Sequence, residues 1–220
     1  MAALNGPVLL PDGGKKPQQV FVFLHGYGAD GNDLIGLAPY IRDLLPNAVF
    51  LSPNAPFPCD MSPFGYQWFP IATLAREELG QGVEHAAPIL DKYLDDVLSE
   101  YGLTNADLIL FGFSQGAMMA LRMALVERDN MAGVIACSGA AAGVEKGDIR
   151  PGIKTPILLL HGDIDNVVIP DYFHQTTAFL DNANVGYEGH LIPGLPHGIN
   201  DAAIMHTRNF IKHFHGVLNP

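Results

Sequence analysis

A serine between two glycines is the first candidate for chemistry in this sequence. The pentapeptide Gly112–Gly116 (GFSQG) follows the apolar run Leu108–Phe111 and precedes a run rich in helix-forming residues. This context is typical of a nucleophile elbow, a strained turn that lifts the serine hydroxyl above the edge of a sheet. In such a turn the strand and the helix approach each other closely, so the residues two before and two after Ser114 must have very small side chains. Both residues are glycine. An ordinary strand-to-helix turn would explain the pentapeptide alone, but the flanking runs predict Ser114 as a nucleophile.

A base and an acid should follow such a serine, because a hydroxyl is a weak nucleophile at neutral pH. In the elbow arrangement the acid comes first and the histidine second, each in a loop after a later strand. The apolar run 156–160 leads into His161–Asp165 (HGDID), and the strand-like run 185–192 leads into a loop that holds His197. The order predicts serine-hydrolase chemistry, with His197 as base and Asp163 or Asp165 as acid.

Five segments carry a resemblance to a known family: Phe23–Gly28, Pro53–Pro56, Gly112–Gly116, His161–Asp165 and Gly194–His197. In this order, across nearly the whole chain, they resemble the phospholipase/carboxylesterase family, which includes acyl-protein thioesterases and small bacterial carboxylesterases. The resemblance implies a cytosolic enzyme that hydrolyses carboxylic esters or thioesters without a cofactor.

The resemblance also implies roles for single residues. Asp165 matches the family's acid position, whereas Asp163 could simply bind loop amides, so Asp165 is the favoured acid. The backbone N–H groups of Tyr27 and Gln115 are expected to form the oxyanion hole. His25 is predicted to pack and hydrogen-bond within its loop rather than to act as a base.

The elements that must position these residues alternate between strand and helix. This alternation predicts a mainly parallel central sheet with helices on both faces, and the elbow and the resemblance imply that it is an α/β-hydrolase fold. Pro88 is expected in the first turn of the second helix or at a kink, and Cys137 is expected in the core. No repeat or linker interrupts the chain, which predicts one domain over residues 1–220. The predicted strands are 8–10, 19–24, 49–52, 108–111, 133–137, 156–160 and 185–192, and the predicted helices are 33–45, 84–101, 117–125, 170–180 and 198–215.

The segment 53–82 shows no regular period but is rich in proline and aromatic residues. Long irregular loops in compact domains are usually functional or disordered, and this one is too apolar for disorder. It is interpreted as the wall or lid of an apolar acyl pocket; the alternative is a satellite core beneath a wandering loop. Trp68 is the preferred pocket residue, and the other candidates are Phe64, Tyr66 and Phe69.

The amino-acid composition limits the kinds of binding partner that this protein can have. A net charge of −11 and an isoelectric point near 5.0 disfavour nucleic acid and anionic membrane surfaces. No apolar stretch approaches the roughly 20 residues of a membrane span, the first residues lack a signal-peptide pattern, and two cysteines fit a reducing compartment. A cytoplasmic enzyme with a small acyl ester or thioester substrate is expected, and the sequence leaves both a monomer and a homodimer open.

Neither a metal nor a cofactor is predicted. His206, His213 and His215 share the last helix, but no carboxylate or cysteine completes a ligand set, so a solvated helical face is the preferred interpretation. The loop Gly26–Gly31 lacks the glycine spacing and the Gly-Lys-Ser/Thr sequence of nucleotide-binding loops.

Three functions fit the sequence. The first is a carboxylesterase for neutral short- to medium-chain esters, with lysophospholipid or thioester hydrolysis as its variant, because segment 53–82 holds no basic residue before Arg76. The second is an enzyme like dienelactone hydrolase, which Ser114 disfavours because that group typically has cysteine at the elbow. The third is a non-catalytic binding protein on a hydrolase scaffold, although such proteins commonly lose a triad member.

Overall fold

The computed structural model describes residues 4–218, with side chains as far as His213. Within this part, helices and strands alternate along most of the chain. They are β1 (Val8–Leu9), β2 (Gln19–Leu24), α1 (Gly31–Ile35), β3 (Ala48–Leu51), β4 (Phe57–Pro58), β5 (Tyr66–Gln67), α2 (Arg76–Tyr101), β6 (Leu108–Phe113), α3 (Gln115–Arg122), β7 (Gly133–Cys137), β8 (Ile157–Gly162), α4 (Asp171–Asn182), β9 (Glu188–Ile192) and α5 (Asp201–Leu218).

Seven of these strands form one sheet in the order β1-β3-β2-β6-β7-β8-β9. Strand β1 pairs antiparallel with β3 at one edge, and every other pair in the sheet is parallel. Strands β4 and β5 form a separate antiparallel ribbon. The α/β-hydrolase fold is confirmed, and its parallel strands bring the loops after β2, β6, β8 and β9 to one edge of the sheet.

The two faces of the sheet carry separate apolar cores. Along β2, Val20 and Val22 point into the core beneath α2, α3 and α4, whereas Phe21 and Phe23 point into the core beneath α1 and α5. All four side chains are fully buried, as expected for a central strand with both faces covered. Cys137 also lies in a core, as predicted.

The first predicted helix, 33–45, is much shorter in the structure. Helix α1 covers only Gly31–Ile35 after an N-cap at Asp30, and separate 3₁₀ turns follow at Ala38–Tyr40. Gly36 is a poor helix former, and Pro39 has no N–H to donate to the carbonyl of Ile35. Helical hydrogen bonding is therefore interrupted although the apolar spacing continues.

The second predicted helix begins eight residues earlier than expected. Helix α2 starts at Arg76 and contains Pro88 in its interior, and it ends at Gly102 as predicted. Pro88 is exposed, so the carbonyl that lacks its N–H partner is on the solvent side. Leu79 and Val83, upstream of the proline, are buried in the core, and their packing outweighs the missing hydrogen bond.

The described helices were compared with the length and hydropathy that a membrane span requires. No helix within residues 4–218 is both long and apolar enough to cross a bilayer.

Candidate active site

The loop between β6 and α3 has the geometry of a nucleophile elbow. Ser114 has φ 54° and ψ −117°, a conformation that costs a residue with a Cβ atom on the order of 1–3 kcal/mol. A Cβ at Gly112 would lie 2.3 Å from the carbonyl oxygen of Gly116, and a Cβ at Gly116 would lie 1.9 Å from that of Leu24. Both flanking positions therefore have to be glycine, for the steric reason that the sequence suggested.

The structure brings Ser114, His197 and Asp165 into one hydrogen-bonded chain. Oγ of Ser114 lies 3.1 Å from Nε2 of His197, and Nδ1 of His197 lies 2.7 Å from Oδ2 of Asp165. A carboxylate can only accept, so Nδ1 carries the proton and Nε2 offers its lone pair to the serine hydroxyl. This arrangement can take a proton from the serine and stabilise the resulting imidazolium.

Asp165 is held rigidly within its own loop. Its side chain is buried, and its Oδ1 accepts hydrogen bonds from the backbone N–H groups of Val167 and Val168, both at 2.9 Å. Asp163 is exposed and accepts instead from the N–H of Gly194 at 2.7 Å, across to the loop that carries His197. Asp165 is thus the carboxylate that contacts the imidazole, and Asp163 braces a loop.

A buried histidine at the end of β8 supports the same loop. Nε2 of His161 donates to the carbonyl of Val168 at 2.7 Å. Burial lowers the pKa of His161 below its ordinary value, and the hydrogen bond to Val168 opposes this shift only in part. The ring is therefore neutral at neutral pH and acts as a structural donor.

Two backbone N–H groups are free to receive an oxyanion. Within residues 4–218, no hydrogen bond uses the N–H of Tyr27 or of Gln115. Gln115 is the first residue of α3, so its N–H has no partner inside the helix. Tyr27 lies in the loop after β2, which approaches the elbow: a Cβ at Gly26 would lie 3.3 Å from the Cβ of Ser114.

His25 fixes the start of the Tyr27 loop, as the sequence predicted. Its Nδ1 donates to the carbonyl of Gly26 at 2.7 Å, and its Nε2 accepts from the N–H of Ala55 at 2.9 Å. Burial lowers the pKa of His25, so the neutral tautomer that makes both bonds is the stable one. His25 is not in the hydrogen-bonded chain of Ser114.

Trp68 and the side chain of Gln115 join the elbow to the loop after β2. The side chain of Gln115 is buried; its Oε1 accepts from the N–H of Trp68 and its Nε2 donates to the carbonyl of Phe69, both at 2.7 Å. Nε1 of Trp68 donates to the carbonyl of His25 at 3.0 Å. These three hydrogen bonds, which we call the Gln115–Trp68 clamp, hold together the two backbone segments that carry the free N–H groups.

The ribbon formed by β4 and β5 supports the same loop from outside. The N–H of Gly28 donates to the carbonyl of Tyr66 at 2.9 Å, and the N–H of Tyr66 donates to the carbonyl of Ala29 at 2.7 Å. The segment around Tyr27 is thus fixed at both ends, by His25 on one side and by the ribbon on the other.

The prediction that Trp68 and Phe69 line an acyl pocket is wrong, whereas for Phe64 and Tyr66 it stays a prediction. Trp68 and Phe69 have no exposed surface and belong to the core beneath α2. Tyr66 is partly buried against the same core, whereas the side chain of Phe64 is 88% exposed. A fully buried ring cannot contact substrate, so the alternative of a core beneath an irregular segment describes Trp68 and Phe69. The sequence shows that aromatic rings are present but not which way they face.

A cavity lies between the start of α2, the segment after β7 and helix α4. It is partly open to solvent, and its single charged lining residue is Arg76. Its wall includes Ala140–Ala142, close along the chain to Cys137, whose carbonyl accepts the N–H of Ser114 at 2.9 Å. The other lining residues are Leu79, Tyr172, Gln175, Thr176 and Phe179. The sequence analysis did not select this region, because short alanine runs carry no functional signal.

The histidines of α5 also differ from expectation. His213 is exposed, as predicted for a solvated face, and the side chain of His215 lies outside the described residues. His206, however, meets Glu188 and His190 of β9. The prediction that no carboxylate accompanies these histidines is therefore wrong for His206, because the missing partners come from another element.

Three comparisons place the chain among known proteins. The family model of phospholipase/carboxylesterase matches residues 9–215. An acyl-protein thioesterase 1 of Mycosarcoma maydis is 30% identical over 96% of this chain and 98% of its own length, and a probable carboxylesterase of Oryza sativa subsp. japonica is 28% identical over 96% and 84%. The crystal structure of esterase PE8 is 37% identical, covers 97% of this chain and all of its own, and superposes with a TM-score of 0.90.

The family match spans most of the chain, and the similar structure is an esterase with the same fold. The elbow, the acid loop and the histidine loop all lie inside the matched residues. This chain therefore belongs to the phospholipase/carboxylesterase family of hydrolases.

Proposed function

We propose that this protein is a serine carboxylesterase that cleaves neutral, short- to medium-chain acyl esters through an acyl-enzyme intermediate. The proposal rests on one observation above all, the hydrogen-bonded chain from Ser114 through His197 to Asp165. A hydrogen-bonded serine, histidine and buried carboxylate are the parts that covalent acyl transfer requires.

In the proposed reaction, Oγ of Ser114 attacks the acyl carbonyl while Nε2 of His197 takes its proton. Asp165 holds the imidazole through Nδ1 and stabilises its positive charge. The N–H groups of Tyr27 and Gln115 bind the oxyanion of the tetrahedral intermediate. His197 then protonates the departing alcohol, and a water molecule, activated by the same imidazole, hydrolyses the acyl-serine.

The preference for neutral substrates is inferred from the charges around the site. At this edge of the sheet, residues 25–31, 52–75, 112–117, 138–145, 162–171 and 193–200 contain no lysine or arginine, and the first basic residue of the loop after β7 is Lys146, next to Glu145. Arg76, just beyond them, also lines a second cavity together with Glu77, Glu84 and Glu145, which offset its charge. An anionic headgroup would therefore meet a field of the same sign as its own.

The acyl chain is proposed to occupy the cavity beside Ala140–Ala142. The wall around Ala140–Ala142 is apolar, and each methylene group that it buries contributes up to about 0.8 kcal/mol. Ala140→Leu should lower kcat/KM for hexanoate esters while leaving acetate esters nearly unchanged. The control is Phe64→Ala, which should alter neither; a changed profile in that variant would return the pocket to segment 53–82.

The nucleophile is tested directly with a fluorophosphonate probe and a series of neutral esters of graded acyl length. The wild-type protein should be labelled at Ser114, and Ser114→Ala should remain folded, lose labelling and lose turnover by about 10⁶-fold. Labelling at another residue, or turnover that survives the substitution, would overturn the proposal. A folded wild-type protein that neither reacts with the probe nor cleaves any ester would favour the alternative of a non-catalytic binding protein.

Thioester hydrolysis is a second candidate activity, favoured by the 30% identical relative named acyl-protein thioesterase 1. The proposed mechanism serves either substrate, because only the leaving atom differs. Matched oxygen esters and thioesters of the same acyl group distinguish them through the ratio of kcat/KM values. A ratio that strongly favours the thioester would make this the principal activity.

A further inference from the structure

Three side chains from β9 and α5 form a group that the ester chemistry does not use. Glu188 and His190 are two residues apart on edge strand β9, so both project from the same face of the sheet. Their register partners Leu158 and Leu160 point into the core that α5 covers. His190 and Glu188 therefore lie beside α5, at the open margin of the sheet.

Helix α5 presents His206 to this margin. Ala203 and Phe210, three residues before and four after His206, are buried in the same core, so His206 belongs to the helix stripe that faces the sheet. The rings of His190 and His206 are stacked with centroids 3.8 Å apart. Oε1 of Glu188 lies 2.7 Å from Nε2 of His190.

The potential ligand atoms of these three residues all lie within 4.8 Å of one another. Two imidazoles and one carboxylate suit a divalent transition metal, and zinc accepts this donor set with water completing its coordination. We propose that Glu188, His190 and His206 form a Zn²⁺ site on the surface of this protein. One imidazole has to turn out of the stack so that its nitrogen points at the ion, and the partial exposure of both rings leaves room for this rotation.

The positively charged residue nearest to His206 along the chain is already paired. The arginine nearest along α5, Arg208, is engaged by Asp43 through two hydrogen bonds of 2.7 and 2.8 Å. The carboxylate of Glu188 is 48% exposed and the side chain of His190 is 32% exposed, so an ion can reach the ligands from solvent.

The proposed zinc site lies at both ends of the loop that carries His197. Residues 193–200, which carry His197, connect β9 to α5. An ion bound to Glu188, His190 and His206 would link the two elements at the ends of that loop. Binding to the folded state alone raises its stability by mass action. The site would thus hold the loop of the proposed base without contacting its imidazole.

Isothermal titration of the chelator-treated full chain with ZnCl₂ tests the proposal. We expect the wild-type protein to bind one equivalent of zinc. We expect His206→Ala and His190→Ala to bind zinc at least about tenfold more weakly than the wild type does. His213→Ala, which removes an exposed histidine from the same helix, is the matched control and should bind as the wild type does. Equal affinity in the wild type and His206→Ala, or no saturable binding to the wild type, would overturn the proposal.

Two further measurements separate this site from the proposed active site. His197→Ala should keep its zinc equivalent; its loss would mean that the ion binds the catalytic histidine and would overturn the proposal. Ser114→Ala should also bind zinc unchanged, so this result does not depend on whether the protein is an esterase. Zinc should raise the unfolding temperature of the wild type and His213→Ala, but not of His206→Ala, whose circular dichroism spectrum verifies its fold.

Discussion

The elbow around Ser114 and the segment Phe57–Phe69 support the same pair of free N–H groups, but the sequence describes them very differently. The elbow requires glycine at two fixed distances from the serine, at Gly112 because of a contact within the turn and at Gly116 because of the backbone of the neighbouring strand β2. The Phe57–Phe69 segment acts through hydrogen bonds between residues 43 to 47 positions apart, Trp68 to His25 and Gln115 to Trp68 and Phe69.

The difference teaches that a steric requirement within a turn is visible in the sequence, whereas a long-range clamp is not. Tryptophan and glutamine have many uses in proteins, so neither identifies a partner. The aromatic content of segment 53–82 suggested a pocket wall, yet Trp68 holds backbone and Phe64 is exposed to solvent. Substitutions in the elbow and its partners should therefore affect catalysis differently from substitutions in the Gln115–Trp68 clamp.

The largest loss of activity is expected from a change at Asp165, in the hydrogen-bonded chain of Ser114. Asp165→Asn should lower kcat for ester hydrolysis by about 10⁴-fold with little change in KM, because it disturbs the tautomer and the charge stabilisation of His197. Asp163→Asn is the matched control; it should act mainly on stability, because an uncharged amide oxygen accepts more weakly from the N–H of Gly194 than the carboxylate does. Steady-state kinetics with exchanged phenotypes would make Asp163 the acid.

The clamp should show a smaller effect that is uniform across substrates. Trp68→Phe keeps most of the buried ring but removes the N–H that binds the carbonyl of His25. We expect kcat to fall by about tenfold for all acyl lengths with KM nearly unchanged, because oxyanion stabilisation depends on how the two N–H groups are held.

A pocket role for Trp68 would have a different signature. In that case Trp68→Phe would change the dependence of kcat/KM on acyl length and leave acetate esters nearly intact. Gln115→Ala, which removes the other two clamp bonds, should reproduce the uniform loss in kcat. A profile that varies with chain length in both variants would contradict the clamp.

The strain at the elbow should be measurable as stability. Ser114→Gly relieves the positive φ of the turn, so it should be more stable than Ser114→Ala by about 1 kcal/mol. Chemical denaturation of the two inactive variants measures the difference directly. A less stable glycine variant would show that flexibility of the unfolded chain outweighs the strain.

The smallest expected effect is a dependence of stability on pH through the buried histidines. Burial lowers the pKa of His25 and His161 from the ordinary value of 6.5. Below about pH 6.5 the unfolded chain therefore binds more protons than the folded one, so this stabilisation is complete above that pH and is lost as the pH falls.

Unfolding temperatures between pH 7 and pH 5 measure this effect. We expect the wild type to lose stability on acidification and His161→Gln, which keeps a donor for Val168, to lose less. His213→Gln replaces an exposed histidine and should follow the wild type. An equal loss in His161→Gln and the wild type would mean that other groups, chiefly carboxylates, account for the pH dependence.

The sequence by itself determined the fold class, the order of the central strands along the chain, and Ser114 and His197, but it left Asp163 and Asp165 open as the acid, and the resemblance favoured Asp165. Strands that alternate with helices specify a mainly parallel sheet, and parallel strands bring their following loops to one edge. Ser114, Asp165 and His197 each follow a strand, so their meeting is a consequence of the fold.

Tertiary structure alone decided where α2 begins and which side chains of distant elements meet. The early start of α2 depends on Leu79 and Val83 packing into the core, and a local proline signal could not show this. The clamp and the Glu188–His190–His206 cluster likewise join residues that no sequence period relates. Periodicity records which face of an element is apolar, but the atoms that meet across two elements are fixed only when those elements pack.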